Sequence, residues 1–273
     1  MSRTELLTAG GFRMDGRKPL EFRSMELSLS PHTATGESLV PTAASAMSRA
    51  DGSAQVRQGL THVYACVYGP REPGRAARAP TVRQDRATIQ VEIAVAPWGA
   101  SDRRYRARGD RHLVEWANSV RSTFEPVVHT HLFPRAQIDL VVHVLQQDGG
   151  VLPAMIHACT LALMDAGIPM SDYVCALTCG LHGETALLDL NRKEQTSLPF
   201  ATVAVLPRSG QVPLMQLDTR IHMDRFASMV DMCVEAAGVL RDELDTAMRA
   251  RSDRLVEAAQ HPLHEEIDRT KQL

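Results

Sequence analysis

The segment Ile138-Asp139-Leu140-Val141-Val142-His143-Val144, followed closely by Asp148-Gly149-Gly150, decides the fold class of this chain. Apolar residues at alternate positions are typical of a strand with one buried face. A helix is predicted next, from about Pro153 to Ala166, with Met155, Cys159 and Leu163 on one side and Gly167 as its C-cap. A glycine-rich turn therefore joins a strand to a helix near the middle of the chain.

Similar patterns predict further elements on both sides of this unit. Strands are expected near residues 25–29, 61–68, 87–96, 174–181, 186–190, 201–206 and 212–217. A helix over 113–124 has Asp110 as its N-cap and Pro126 beyond its end, and a long helix runs from about Phe226 to Met248. Runs of strands interrupted by single helices indicate an α+β protein.

We expect one domain over residues 1–260. Residues 31–50 are rich in Ser, Thr, Ala, Gly and Pro without periodicity, which predicts a disordered loop insertion. After about Ala259 the chain is polar, and we expect residues 261–273 to form a frayed C-terminal tail.

The composition is that of an ordinary soluble protein, with 44% hydrophobic residues and a formal net charge of −2. This charge indicates no nucleic-acid partner for the chain as a whole, so any nucleic-acid-binding surface must be a local patch. The five cysteines are scattered through apolar runs, which favours reduced thiols in a cytosolic or nuclear protein. No stretch is typical of a signal peptide or of a membrane span, so we expect a soluble intracellular protein.

Few residues suggest chemistry by their spacing alone. His129 and His131 lack accompanying cysteine or acidic ligands, so a surface pair is favoured over a metal site, and no cofactor motif is present. Residues 102–112 carry five arginines and Tyr105 and lead directly into a helix start. Such a run fits either a solvated loop or a phosphate-binding surface, and both interpretations stay open.

Five ordered blocks of the sequence resemble RNase PH-type proteins. They are Gly11–Arg17, Ala50–Glu72, Phe133–Gly150, Asp165–Met170 and Leu188–Asn191. Within that family the chain is most similar to the ring subunit of the eukaryotic RNA exosome that is related to the catalytic ring subunit of the archaeal exosome. The resemblance implies an RNase PH fold (ribosomal protein S5 domain 2-like), with mixed sheets packed with helices.

The resemblance also implies that catalysis has been lost. In active members a Ser/Thr-Arg pair after the glycine turn holds phosphate, and Val151 and Leu152 occupy those positions here. Two aspartates that active members carry correspond to Gln195 and, with one residue deleted, to Phe200. Asp189 is kept, but the resemblance gives it no necessary catalytic role. We therefore expect a member without phosphorolytic activity, the alternative being an active phosphate-dependent 3′–5′ exoribonuclease of RNase PH type.

An RNA path is the other implication of the resemblance. Arg111 and His112 correspond to an arginine pair that lines the RNA path in the archaeal relative, and Arg103, Arg104, Arg106 and Arg108 extend the same basic surface. The implied partners are RNase PH-like paralogues in a six-membered ring, S1/KH cap subunits, a hydrolytic exosome ribonuclease and single-stranded RNA. The implied locations are the nucleus, the nucleolus and the cytoplasm. A scaffold without RNA contact is the other alternative.

Overall fold

A computed structural model describes residues 6–8, 10–29, 50–72, 84–100, 103, 109–183 and 185–271, with side chains of the last helix described to residue 257. The strands are β1 (Met25–Leu29), β2 (Gly52–Gln58), β3 (Thr61–Arg71), β4 (Thr88–Val95), β5 (Gln137–Gln146), β6 (Cys175–His182), β7 (Thr185–Leu188), β8 (Phe200–Leu206) and β9 (Gln211–Leu217). The helices are α1 (Arg111–Phe124), α2 (Val151–Asp165), α3 (Arg192–Ser197) and α4 (Met223–Lys271), with a 3-10 turn at Thr130–Leu132.

The first sheet has five strands in the order β1-β2-β3-β5-β4. Neighbours are antiparallel except β4 and β5, which run parallel. The predicted alternation in β5 is confirmed, because Ile138, Leu140, Val142 and Val144 are all almost completely buried. One face of this sheet therefore contributes to the hydrophobic core.

The helix α2 fills the space between the two sheets. It packs against β2 and β3 of the first sheet and against β6 of the second. The prediction that only one side of this helix, with Met155, Cys159 and Leu163, is buried was wrong. Every residue from Val151 to Leu163 is buried, so the helix is covered on all sides. The β2 backbone approaches the helix closely at Gly52, where an added Cβ would lie 2.3 Å from the carbonyl oxygen of Ala162. Only glycine fits there.

The second sheet has four strands in the order β7-β6-β8-β9, all antiparallel. The long helix α4 packs on β6 and β8 and reaches β1, while α1 packs on β4 and reaches β9. Cys179 and Cys233 belong to this region, and all five cysteines are buried free thiols. The α+β architecture is thus confirmed.

Three details differ from the sequence expectations or lie outside the structure. The helix α3 was not predicted, and α4 extends past the predicted end at Met248 to Lys271. Fraying of residues 261–273 stays a prediction. Residues 31–49 of the predicted insertion lie outside the described residues.

Candidate functional site

A cleft of about 240 Å³ opens where β5 ends and α2 begins. Its walls come from α1, the β5–α2 turn, α3 and the edge of the second sheet. The lining residues are His112, Trp116, Gln147, Gly149, Val151, Leu152, Pro153, Arg192, Gln195, Phe200, Thr202, Gln216 and Asp218. The structure therefore brings Val151, Leu152, Gln195, Phe200 and His112 together around one cavity.

The turn at the base of the cleft depends on two glycines in the left-handed region. Gly149 has φ +81°, and a Cβ there would lie 2.5 Å from the backbone of Asn191. Thr61 donates its hydroxyl to the carbonyl of Gly149 at 2.7 Å and accepts the N–H of Asp148 at 3.1 Å. The turn is thus fixed from both sides before the helix starts.

The amino-terminal end of α2 offers little to an anion. Gly150 is its N-cap and supplies no capping side chain. Val151 and Leu152, which follow, are buried and apolar. The Gly150 N–H donates to Oε1 of Gln195 at 3.3 Å, so a neutral amide occupies one of the donors that a phosphate would use.

Asp189 lies below this turn and has a structural ion pair. The Arg23 guanidinium donates to its two carboxylate oxygens at 2.6 and 3.0 Å, and both side chains are nearly inaccessible. Burial alone would raise the pKa of Asp189, but the hydrogen bonds and charge of Arg23, helped by Arg17, outweigh burial and lower it. Asp189 is therefore held as a carboxylate and is a poor proton donor.

Arg23 also fixes the cleft. It donates to the carbonyls of Asp148 at 2.9 Å and Gly149 at 3.4 Å, so one guanidinium joins Asp189 to the glycine turn.

A second buried ion pair joins the amino-terminal segment to α3. Arg13 donates to both carboxylate oxygens of Glu194 at 2.7 and 2.8 Å and to the carbonyl of Leu188 at 2.7 Å. Glu194 in turn accepts the N–H of Asn191, whose side chain accepts the N–H of Glu194. This capping box begins α3 and so places Gln195 and Arg192 in the cleft.

The structure separates the two members of the predicted RNA-contacting pair. His112 lines the cleft, and its ring lies 4.2 Å from that of Trp116. Arg111 does not line the cleft; its side chain is 93% exposed and its Nε donates to Glu115 at 3.1 Å. Asp110 is the N-cap, as predicted, and accepts the N–H of His112.

The other predicted arginines divide between described and undescribed residues. Arg103 is exposed, whereas Arg104, Arg106 and Arg108 lie outside the described residues. Sequence reasoning missed Arg192, Trp116 and Asp218 as cleft residues. Arg192 had a usable signal, since it directly follows Asn191, a preferred N-cap residue.

The described residues were searched for metal-binding clusters and for membrane-spanning helices. In the described part of the chain, no cluster of three or more His, Cys, Asp and Glu side chains is placed to hold a metal ion. The rings of His129 and His131 lie 5.6 Å apart. No helix among the described residues combines the length and apolar character needed to cross a membrane.

Two sheets around a buried helix, with a cleft at that helix's amino terminus, define an α+β protein of RNase PH fold. The chain belongs to the 3′ exoribonuclease family: domain 1 of that family matches residues 42–169 and domain 2 matches residues 172–236. The boundary between these matches falls just before β6, where the second sheet begins.

The curated relatives agree with this assignment. The chain is 38% identical to exosome complex component RRP41 of Mus musculus over 250 residues, which cover 91% of this chain and 95% of that protein. It is 32% identical to exosome complex component SKI6 of Saccharomyces cerevisiae over 260 residues, covering 95% and 99%. The resemblance to this group, first seen in five motifs, is confirmed.

Solved structures show the same fold. Rice Rrp46 superposes with a TM-score of 0.72 at 24% identity, covering 87% of this chain and all of that one. The Archaeoglobus fulgidus exosome with RNA bound to the active site superposes with a TM-score of 0.68 at 23% identity, covering 86% and 93%. At these identities the likeness concerns the fold alone.

Proposed function

We propose that this chain is a non-catalytic ring subunit of an RNA exosome core, which guides single-stranded RNA towards a separate 3′–5′ ribonuclease. The observation that carries the proposal is the start of α2. Val151 and Leu152 present apolar side chains where a phosphate-dependent enzyme needs donors and positive charge.

Phosphorolysis has a strict electrostatic requirement. An attacking phosphate must be held beside an RNA phosphodiester, so two anions have to be neutralised by fixed donors and cations. The described lining of the cleft contains one arginine, Arg192, and no lysine. Gln195 already accepts the Gly150 N–H, which further weakens the site for an anion.

The acid–base requirement is also poorly met. Gln195 cannot exchange a proton, and Phe200 carries no polar group. Asp189 is tied to Arg23 below the turn. Losing such a group in an enzyme typically lowers the rate by a factor of about 10² to 10⁴.

The direct test is an assay for phosphorolysis. The purified chain, alone and in its native complex, is incubated with phosphate and single-stranded RNA that is labelled uniformly at its internal phosphates, and labelled nucleoside diphosphates are sought by thin-layer chromatography. We expect none, with an active archaeal exosome as the positive control. The alternative of an active enzyme is favoured by Arg192 and Asp218, which line the same cleft. Diphosphates that disappear with Arg192→Ala or Asp218→Asn would establish that alternative.

Assembly is proposed from the relatives, which are named as exosome complex components. We infer a six-membered ring with RNase PH-like paralogues, S1/KH caps above it and a hydrolytic ribonuclease as the consumer of the RNA. The processes would be rRNA maturation and turnover of mRNA and non-coding RNA in nucleus, nucleolus and cytoplasm. Native mass spectrometry of the complex purified through this chain tests the partners.

The RNA path is proposed to include Arg111 and His112. Arg111 is almost fully exposed, so a phosphate can reach its guanidinium in exchange for the weak pair with Glu115. Removing one cationic partner of a phosphate should reduce the salt slope of binding by about 0.7 for single strands. We therefore expect Arg111→Glu with His112→Gln to reduce crosslinking of every single-stranded RNA in the intact complex.

A matched control is available on α4. Arg249 is also exposed and also forms an (i,i+4) pair, with Asp245. Arg249→Glu should leave crosslinking unchanged. Equal crosslinking by both variants and by the wild type would favour a scaffold without RNA contact.

A further inference from the structure

The strand β4 forms a free edge of the first sheet within the described residues, because only β5 is bonded to it. Thr88 and Ala96, at and just beyond its two ends, donate their backbone N–H groups to the β5 side, at 2.9 Å each. The pairing register of β4 with β5 has no bulge, and the backbone N–H and C=O groups of successive residues in a strand point alternately to its two edges. The outward backbone groups therefore belong to Ile89, Val91, Ile93 and Val95.

A groove of about 390 Å³ runs along this edge. Six consecutive residues, 88–93, line it, and because consecutive side chains alternate between the two faces, the groove must follow the edge itself. Its other wall is one side of α1, made of Leu113, Val114, Ala117, Asn118 and Arg121. Val114 is 46% exposed although it is apolar.

β4 itself carries few of the residues that usually protect an edge strand from unwanted pairing. Its eight residues include no proline and no lysine, and Glu92 is the one charged residue among them. By contrast β9, which ends the second sheet, contains Pro213. The hydroxyl of Thr88 is also buried without a hydrogen-bond partner among the described residues.

We propose that this groove takes an extended segment of a partner protein, added as a sixth strand beside β4. Its backbone would bond to the outward groups of Ile89, Val91 and Ile93. Its apolar side chains, at every second position, would pack on Val114 and Ala117. Arg121 is exposed and has no ion pair among the described residues, so an acidic residue of the segment would meet it. The groove is separate from the cleft, and this proposal does not depend on the proposed function.

The probe is a fluorescein-labelled peptide of about eight alternating threonines and valines with aspartate at both ends, long enough for the six-residue groove at about 3.3 Å per residue. Binding to the full chain is measured by fluorescence anisotropy. Val91→Pro removes an outward N–H without removing a bond to β5, and should weaken binding roughly tenfold or more. Val91→Thr keeps that N–H and should bind like the wild type. Arg121→Glu should reverse the preference, so that a peptide with terminal lysines binds better.

Hydrogen exchange read by NMR gives a second measurement on the wild-type chain. The amides of Ile89, Val91 and Ile93 should gain protection when the peptide binds. Thermal unfolding of each variant reports whether it folds, and if Val91→Pro does not, Arg121→Glu and the wild-type exchange data decide. No binding of the aspartate peptide to the wild type, or protection confined to other amides, would overturn the proposal.

Discussion

Replacing Asp189 by asparagine should destabilise the protein strongly although the change is nearly isosteric. Asparagine tolerates the left-handed backbone at this position, where φ is +52°, so the effect should be electrostatic. The variant would leave the Arg23 guanidinium buried beside a neutral amide, with its side chain only 6% exposed. Breaking a buried pair by removing one partner costs about 3–5 kcal/mol.

An exposed ion pair between β1 and β2 is the matched control. Glu26 and Arg57 lie 3.5 Å apart with both side chains at least half exposed. Glu26→Gln, also an acid-to-amide change, should cost less than about 1 kcal/mol. Adding Arg23→Met to Asp189→Asn should recover part of the loss, because the unpaired charge is gone.

Urea unfolding from pH 7 to pH 3 is the assay. The folded pKa of Asp189 lies below its unfolded value, so its contribution is complete above the unfolded pKa of about 3.9 and is lost as the pH falls through the folded pKa. The difference between wild type and Asp189→Asn should thus be constant from pH 7 to about pH 5 and shrink in strong acid. Equal costs for Asp189→Asn and Glu26→Gln would refute the reasoning.

Three further predictions concern stability, catalysis and assembly. Burial lowers the pKa of His157 to about 4, so stability should fall by up to roughly 3 kcal/mol as the pH drops from 6.5 to 4, and His157→Gln should remove that part of the pH dependence in urea unfolding. Val151→Ser, Leu152→Arg and Gln195→Asp together should still release no nucleoside diphosphates, because the position of Phe200 keeps its ring and partial sites act non-additively; rapid phosphorolysis would contradict this. The isolated chain should aggregate and be rescued by co-expression with a paralogue, since it exposes Met215, Leu217 and other apolar side chains; a monodisperse monomer in light scattering would count against ring assembly.

The sequence predicted the strands and helices that bury one side and expose the other. β5 alternates between buried and accessible residues, so its period was visible. α2 is buried on all sides and shows no polar face, so the spacing of Met155, Cys159 and Leu163 suggested a single side. A hydrophobic period in the sequence appears only where one side of an element is buried and the other faces solvent. All sides of α2 are buried, so its sequence has no such period.

The site was predictable in part, for a similar reason. The resemblance pointed to Val151, Leu152, Gln195 and Phe200, and these residues do surround one cleft. The role of Glu194 was not visible, because its partner Arg13 lies 181 residues away and only the fold brings them together.

That separation bears on how the protein is made. At roughly 5–20 residues per second, synthesis takes about 10–35 seconds to pass from Arg13 to Glu194. During that interval the Arg13 guanidinium lacks the carboxylate that it pairs with in the folded protein, whereas Arg17 already has Asp15 two residues away. The buried contact between the segment around Arg13 and α3 can therefore form only after Glu194 has been synthesised, much later than the local pairing of β2 with β3.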